Sequence, residues 1–215
     1  MSLSVKICGI NSRGALEAAV SNGARFVGFI FYPPSPRAVA PEDAALLAAL
    51  VPPHIIKVGV FVDPDPVAID DTLLHVPLDV LQLHGGESPR NMDELRQTFR
   101  LPLIKAIKVA EAADVDLARS FEGHADYLLF DAKPPANRDD MLPGGNALSF
   151  DWRLLAGRSW KTPWFLSGGL HVGNLAEAVG QSGARLVDTS SGVELRPGLK
   201  DPDKIAAFLQ LAARL

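Results

Sequence analysis

VLQLHGGESPRNMDELRQTFRLPLIKAIKV, residues 80–109, is one complete strand–helix–strand unit. Val80–Leu83 and Leu103–Val109 are short, β-rich apolar runs, and Pro89–Phe99 between them carries apolar residues near a 3.6 period. Ser88-Pro89 is a start signal, a capping side chain followed by a proline at the first helical position. A helix between two strands makes those strands parallel, with a right-handed crossover.

The same alternation runs outward in both directions. Further strands are expected at Val5–Cys8, Phe26–Phe31, Ile56–Val62, Tyr127–Asp131, Trp164–Ser167 and Leu186–Thr189. Helical stretches include Arg13–Val20, Pro41–Leu50, Ala112–Phe121, Leu175–Gln181 and Pro202–Ala213. Asp63-Pro64-Asp65-Pro66 starts the third helix and Asp201-Pro202 the last. About eight βα units in 215 residues predict a single (β/α)8 TIM barrel spanning residues 1–215 as one domain. An open doubly wound sheet more often carries a GxGxxG turn after its first strand, and Cys8-Gly9-Ile10-Asn11 is no such turn. Neither an internal repeat nor a domain linker is evident.

Composition excludes several functions. The formal net charge is −4 and there are no basic runs, which argues against nucleic acid or an anionic membrane as partner. No apolar run approaches the length of a membrane span, and a strand-like segment starts too early to leave room for a signal peptide. The single cysteine permits no intrachain disulfide and fits a reducing, cytoplasmic setting. Five scattered histidines and one cysteine show no metal-ligand spacing, so no metal is expected. A monomer and a homodimer are equally compatible with the sequence.

In such barrels functional groups gather at the C-terminal ends of the strands. Those ends supply Cys8-Gly9, Arg37 soon after the second strand, Gln82-Leu83-His84-Gly85, Asp131, Ser167-Gly168-Gly169 and Asp188-Thr189-Ser190-Ser191-Gly192. The two glycine-rich turns follow the last two strands, the usual phosphate position. Backbone N–H groups and a short helix after the eighth strand would supply the attraction, since neither turn contains a lysine or arginine. Simple tight turns are the alternative. Arg37 is either a surface charge or, in the stiff Pro33-Pro34-Ser35-Pro36 setting, a held cation suited to a carboxylate. His84 shares a strand face with Gln82 and is either a satisfied core histidine or a ligand. Asp131 ends an apolar strand, where desolvation favours a carboxyl that keeps its proton; loop anchoring is the other reading. Ala132 to Leu148 is long for a βα connection and rich in Pro, Gly, Asn and Asp, as a lid or a disordered loop would be. Lys6 and Cys8 are two apart and share a side of the first strand, so an inward Cys8 places Lys6 inside the barrel, with Asp188 as its counter-charge.

Lys6-Ile7-Cys8-Gly9, Phe29-Ile30-Phe31 with Ser35-Pro36-Arg37, Gly59-Val60-Phe61, Gln82-Leu83-His84-Gly85 and Leu129-Phe130-Asp131 occur in order. So do Gly144-Gly145-Asn146, Phe150-Asp151-Trp152, Ser167-Gly168-Gly169-Leu170, Ser190-Ser191-Gly192-Val193-Glu194, Pro197-Gly198 and Lys200-Asp201. Across nearly its whole length the chain thus resembles the phosphoribosylanthranilate isomerase family of tryptophan biosynthesis. Ala147 departs from a more usual glycine, and Thr189 from a more usual valine on a strand, where little effect is expected.

The resemblance implies an Amadori rearrangement of N-(5-phosphoribosyl)anthranilate to 1-(2-carboxyphenylamino)-1-deoxyribulose 5-phosphate. It implies Cys8 as general base, Asp131 as general acid, Arg37 at the anthranilate end and the last two turns on the phosphate. No cofactor is expected, because the substrate nitrogen is its own electron sink. The base would need either a lowered thiol pKa or a small thiolate fraction. Another phosphosugar isomerase would keep the phosphate turns without needing Cys8 paired with Asp131. A non-catalytic phospho-ligand barrel could discard both.

Overall fold

The computed structural model describes residues 3–135 and 142–215. Eight parallel strands close into a barrel in chain order: β1 (Ser4–Cys8), β2 (Phe26–Ile30), β3 (Ile56–Phe61), β4 (Val80–Leu83), β5 (Leu103–Val109), β6 (Tyr127–Ala132), β7 (Trp164–Leu166) and β8 (Leu186–Thr189). The seam forms where β8 pairs with β1, in a register that sets Lys6 opposite Asp188. Helices α1 (Arg13–Ser21), α2 (Pro41–Ala48), α3 (Pro66–His75), α4 (Pro89–Phe99), α5 (Ala112–Leu117), α6 (Leu175–Ser182) and α7 (Pro202–Ala212) cover the outside. None of the described helices is long and apolar enough to cross a membrane.

The start signals work as expected. Ser88 caps α4 through a reciprocal pair with Asn91, Asp65 caps α3, and Asp201 caps α7, each followed by proline. Three expectations need correction. The stretch Ala112–Phe121 is not one helix, because α5 tightens into a 3-10 turn from Ala118. Among the described residues the connection from β6 to β7 has only a 3-10 turn, Trp152–Leu155. After β8 there is no short helix with a useful dipole. A three-residue 3-10 turn, Ser191–Val193, leads into an antiparallel hairpin of β9 (Glu194–Arg196) and β10 (Leu199–Lys200).

Strand side chains alternate with period two, and the inward set fills the barrel. Phe26, Val58, Val60, Val80, Ile104, Ala106, Leu129 and Phe165 form one buried cluster with Cys8 at its top. Phe165 anchors it, in edge contact with Phe26 at 5.2 Å between centroids and tilted against Tyr127 at 5.6 Å. The same alternation delivers polar groups to the mouth: Lys6 and Cys8 share the inner face of β1, and Leu129 and Asp131 that of β6.

Truncating Phe165→Ala empties the barrel centre, and we expect a loss of about 3–5 kcal/mol in denaturant unfolding. A loss below about 1 kcal/mol would mean that the interior collapses without this ring.

Candidate active site

The floor of the cleft is an ion pair across the barrel seam. Lys6 is wholly buried, and its Nζ donates to Asp188 Oδ1 at 2.8 Å. Asp188 Oδ2 accepts from Ser167 Oγ at 3.1 Å, which ties the ends of β7 and β8 together. Gly28 on β2 leaves the room: a Cβ there would lie 3.1 Å from both Cys8 Sγ and Lys6 Nζ. The counter-charge expected for Lys6 is therefore Asp188. Burial alone would lower the lysine pKa, but Asp188 and Cys8 outweigh it and keep the ammonium charged.

For Cys8 the balance goes the other way. Burial raises the thiol pKa, Lys6 pulls it down, and burial wins, so the group rests above its ordinary range. Of the two alternatives, a lowered thiol pKa or a small thiolate fraction, this direction favours the second: a thiol beside a cation that favours its thiolate.

Opposite, Asp131 is buried at the end of β6. Its Oδ1 accepts from the Ala132 backbone at 2.9 Å, and its Oδ2 lies 3.1 Å from His84 Nε2. Gln82 Nε2 lies 3.0 Å from His84 Nδ1, so an amide donating there leaves the ring proton on Nε2, aimed at Asp131. His84 is both a satisfied buried histidine and part of the cleft wall. No local pattern announces this contact, because β4 and β6 are separated by β5.

The connection after β6, where a lid was expected, lies partly outside the described residues, at 136–141. Its described end covers both polar sites. A Cβ on Gly144 would fall 2.7 Å from His84 Nε2 and 2.8 Å from Asp131 Oδ2. Gly145, at φ +76°, abuts Arg37, and its carbonyl accepts from Arg37 Nη2 at 3.0 Å. Ala147 takes φ +57°, a left-handed conformation that costs a residue with a Cβ about 1–2 kcal/mol. That is the conformation in which a glycine would be unstrained.

Arg37 is a held cation, 3% exposed. The carboxylate it clamps is internal: Nε and Nη2 donate to the two oxygens of Glu194 at 2.8 and 2.9 Å. Gly168 and Gly169 follow β7, Ser190, Ser191 and Gly192 follow β8, and the two turns adjoin. Packing alone requires glycine here. A Cβ on Gly169 would lie 2.8 Å from the Leu148 carbonyl, and one on Gly192 would overlap the Leu170 carbonyl. Thr189 Oγ1 donates to that Leu170 carbonyl at 2.7 Å, so the hydroxyl joins the two turns and is not idle. Neither turn contains a lysine or arginine, but a cation reaches them from outside. Lys200 Nζ donates to the Ser190 carbonyl at 2.8 Å, and Ser190 Oγ donates to the Cys8 carbonyl at 3.1 Å. Cys8, Asp131, Arg37, Asp188 and both turns thus border one cleft.

A family model described as N-(5'phosphoribosyl)anthranilate (PRA) isomerase matches residues 5–211. The N-(5'-phosphoribosyl)anthranilate isomerase of Rhodospirillum centenum is 57% identical over 215 residues, covering all of both chains. The crystal structure of phosphoribosyl anthranilate isomerase from Thermotoga maritima superposes with a TM-score of 0.88 at 37% identity, covering 99% of this chain and 100% of that one. Another solved isomerase, in complex with reduced 1-(o-carboxyphenylamino)-1-deoxyribulose 5-phosphate, gives 0.83 at 34% identity with the same coverage.

Replacing Lys6→Met removes the cation that lowers the Cys8 thiol and leaves Asp188, which raises it, without its ion pair. Ultraviolet titration of the thiolate should find the Cys8 pKa higher than in the parent. Stability should fall by about 3–5 kcal/mol, as for any buried pair broken on one side. An unchanged or lower thiol pKa would contradict the electrostatic coupling.

Proposed function

The chain belongs to the N-(5'-phosphoribosyl)anthranilate isomerase family, and we propose that Cys8 and Asp131 divide its proton transfers. The substrate is N-(5-phosphoribosyl)anthranilate, and the product is 1-(2-carboxyphenylamino)-1-deoxyribulose 5-phosphate, a step of tryptophan biosynthesis. The observation that carries the division of labour is the pair of buried groups at the ends of β1 and β6, facing one cleft with two strands between them.

Asp131 donates its proton to the ribose ring oxygen as the C1′–O bond breaks, and the nitrogen lone pair forms the Schiff base. The positive nitrogen acidifies C2′–H. Cys8, as thiolate, takes that proton, and the C–H electrons flow to nitrogen to give an enolamine. The Cys8 thiol gives its proton back at C1′ and the Asp131 carboxylate takes the C2′ hydroxyl proton, which completes the ketone with no net change in atoms and restores both groups. The thiol must first lose its proton; Lys6 stabilises the thiolate, while burial makes it a stronger base once formed. His84 N–H is placed to steady the carboxylate that Asp131 becomes.

The phosphate lies against Gly168, Gly169, Ser190, Ser191 and Gly192, where backbone N–H groups and the Lys200 ammonium supply attraction. Arg37 meets the anthranilate carboxylate, and His84 and Asp188 complete the polar wall. No cofactor is needed. The whole chain, 1–215, acts as one catalytic domain in the cytoplasm, as a monomer or a homodimer.

Cys8→Ser and Asp131→Asn are nearly isosteric, and each should lower kcat by about 10²–10⁴ with KM little changed. Neither should rescue a tryptophan auxotroph lacking this step at low expression. A Cys8→Ser enzyme with parental turnover removes the thiol as base; an Asp131→Asn enzyme that rescues removes the acid.

A further inference from the structure

Behind the wall of the cleft lie buried charges that the proton transfers do not use. Glu194 opens β9 and is 7% exposed; Lys200 ends β10 and is 4% exposed. Glu194 Oε1 accepts from Arg37 Nε and from Lys200 Nζ, both at 2.8 Å, and Oε2 accepts from Arg37 Nη2 at 2.9 Å. One carboxylate therefore stands between two cations, and burial, which would raise its pKa, is outweighed by Arg37 and Lys200.

The hairpin holding Glu194 is itself fastened to the loops that surround the cleft. Asn11 Nδ2 donates to the Gly198 carbonyl at 3.0 Å, and Lys204 Nζ to the Glu194 carbonyl at 2.7 Å. Gly198, at φ +83°, lies so close to Pro36 that a Cβ would overlap its carbonyl. The segment carrying Arg37 is thus clamped against the tip that connects Glu194 to Lys200.

A guanidinium has five N–H donors in a fixed plane. Nε is used by Glu194, and Nη2 by Glu194 and Gly145. Among the described residues Nη1 makes no hydrogen bond, and it lies beside Gly145, which borders the cleft with Arg37. The cluster also carries one positive charge more than its carboxylate neutralises. Buried ionic groups add little stability over well-packed apolar ones, so an uncompensated buried cation beside a cleft calls for an anion.

We propose that Glu194 is a positioning residue that fixes Arg37 with Nη1 toward the cleft as the anchor for the substrate's ring carboxylate. Lys200 offsets the Glu194 charge, so the anchor stays cationic instead of being neutralised by its own support. This rests on Arg37 being the carboxylate contact.

Two substrates separate the possibilities: N-(5-phosphoribosyl)anthranilate and N-(5-phosphoribosyl)aniline, which lacks the ring carboxylate. Arg37→Met tests the underlying reading first. If it leaves KM for the anthranilate substrate unchanged, Arg37 is not the contact. If that KM rises, Glu194→Gln should raise the same KM about tenfold or more with kcat within about threefold, and leave kcat/KM for the aniline substrate within about threefold. Because Lys200 also attracts the phosphate that both substrates carry, Lys200→Met should raise KM for both, and by more for the anthranilate substrate; an equal rise on the two overturns the charge-offset half. Equal losses on both substrates in Glu194→Gln, or none on either, overturn the positioning role. Should Glu194→Gln fail to fold, Glu194→Asp keeps the charge but draws the carboxylate back from Arg37. A selective but smaller rise in KM is then expected, and its absence overturns the proposal.

Discussion

The Lys6–Asp188 ion pair is where the architecture and the chemistry meet. It lies at the one place where the barrel closes on itself, between the first and the last strand in the sequence. A shift of one residue in that register would turn Lys6 toward the helices and carry Cys8 with it, because side chains alternate along a strand. Among the described residues the buried ammonium pairs with no carboxylate but Asp188. Satisfying it therefore fixes the closure and, two residues on, the inward direction of the only thiol in the chain. Gly28 completes the arrangement by leaving empty the space that the ammonium and the thiol share.

Around that floor, glycines let the loops come close together. Gly144 fits over the His84–Asp131 pair, Gly145 over Arg37, and Gly169 beneath the Leu148 carbonyl, so the described end of the connection after β6 touches Asp131, the guanidinium and the turn after β7 within a few residues. Ser190 hydrogen bonds to the end of β1, and Lys200 links the Ser190 turn to Glu194 and so to Arg37. The two ends of the proposed substrate thus meet groups on one continuous network. Such a network holds polar groups in place before binding, which is how enzymes avoid reorganisation during the reaction.

Much of the fold was legible because its signals are local. Period-two apolar runs give β4, β5 and β8 with their observed ends, and the Ser88, Asp65 and Asp201 caps with their prolines give three helix starts. The hairpin after β8 escaped because Glu194–Lys200 is short and has no apolar run, with only Pro197-Gly198 to mark a turn. In the site, Lys6 with Asp188 was readable from strand alternation and barrel closure together. The Arg37–Glu194 and His84–Asp131 contacts were not, since they join segments 157 and 47 residues apart and no local pattern encodes a long-range partner. The sequence leaves the thiol between a lowered pKa and a small thiolate fraction, because the burial that outweighs Lys6 is a property of the packed barrel.

The central claim is that Cys8 breaks the C2′–H bond and Asp131 opens the ring. The direct test is the isotope effect on kcat/KM for substrate carrying deuterium at C2′, measured in the parent, Cys8→Ser and Asp131→Asn. Weakening the base makes C–H cleavage limiting, so Cys8→Ser should show a larger isotope effect than the parent. Weakening the acid makes the earlier ring opening limiting, so in Asp131→Asn the effect should shrink toward unity. A larger effect in Asp131→Asn than in Cys8→Ser would contradict the assignment.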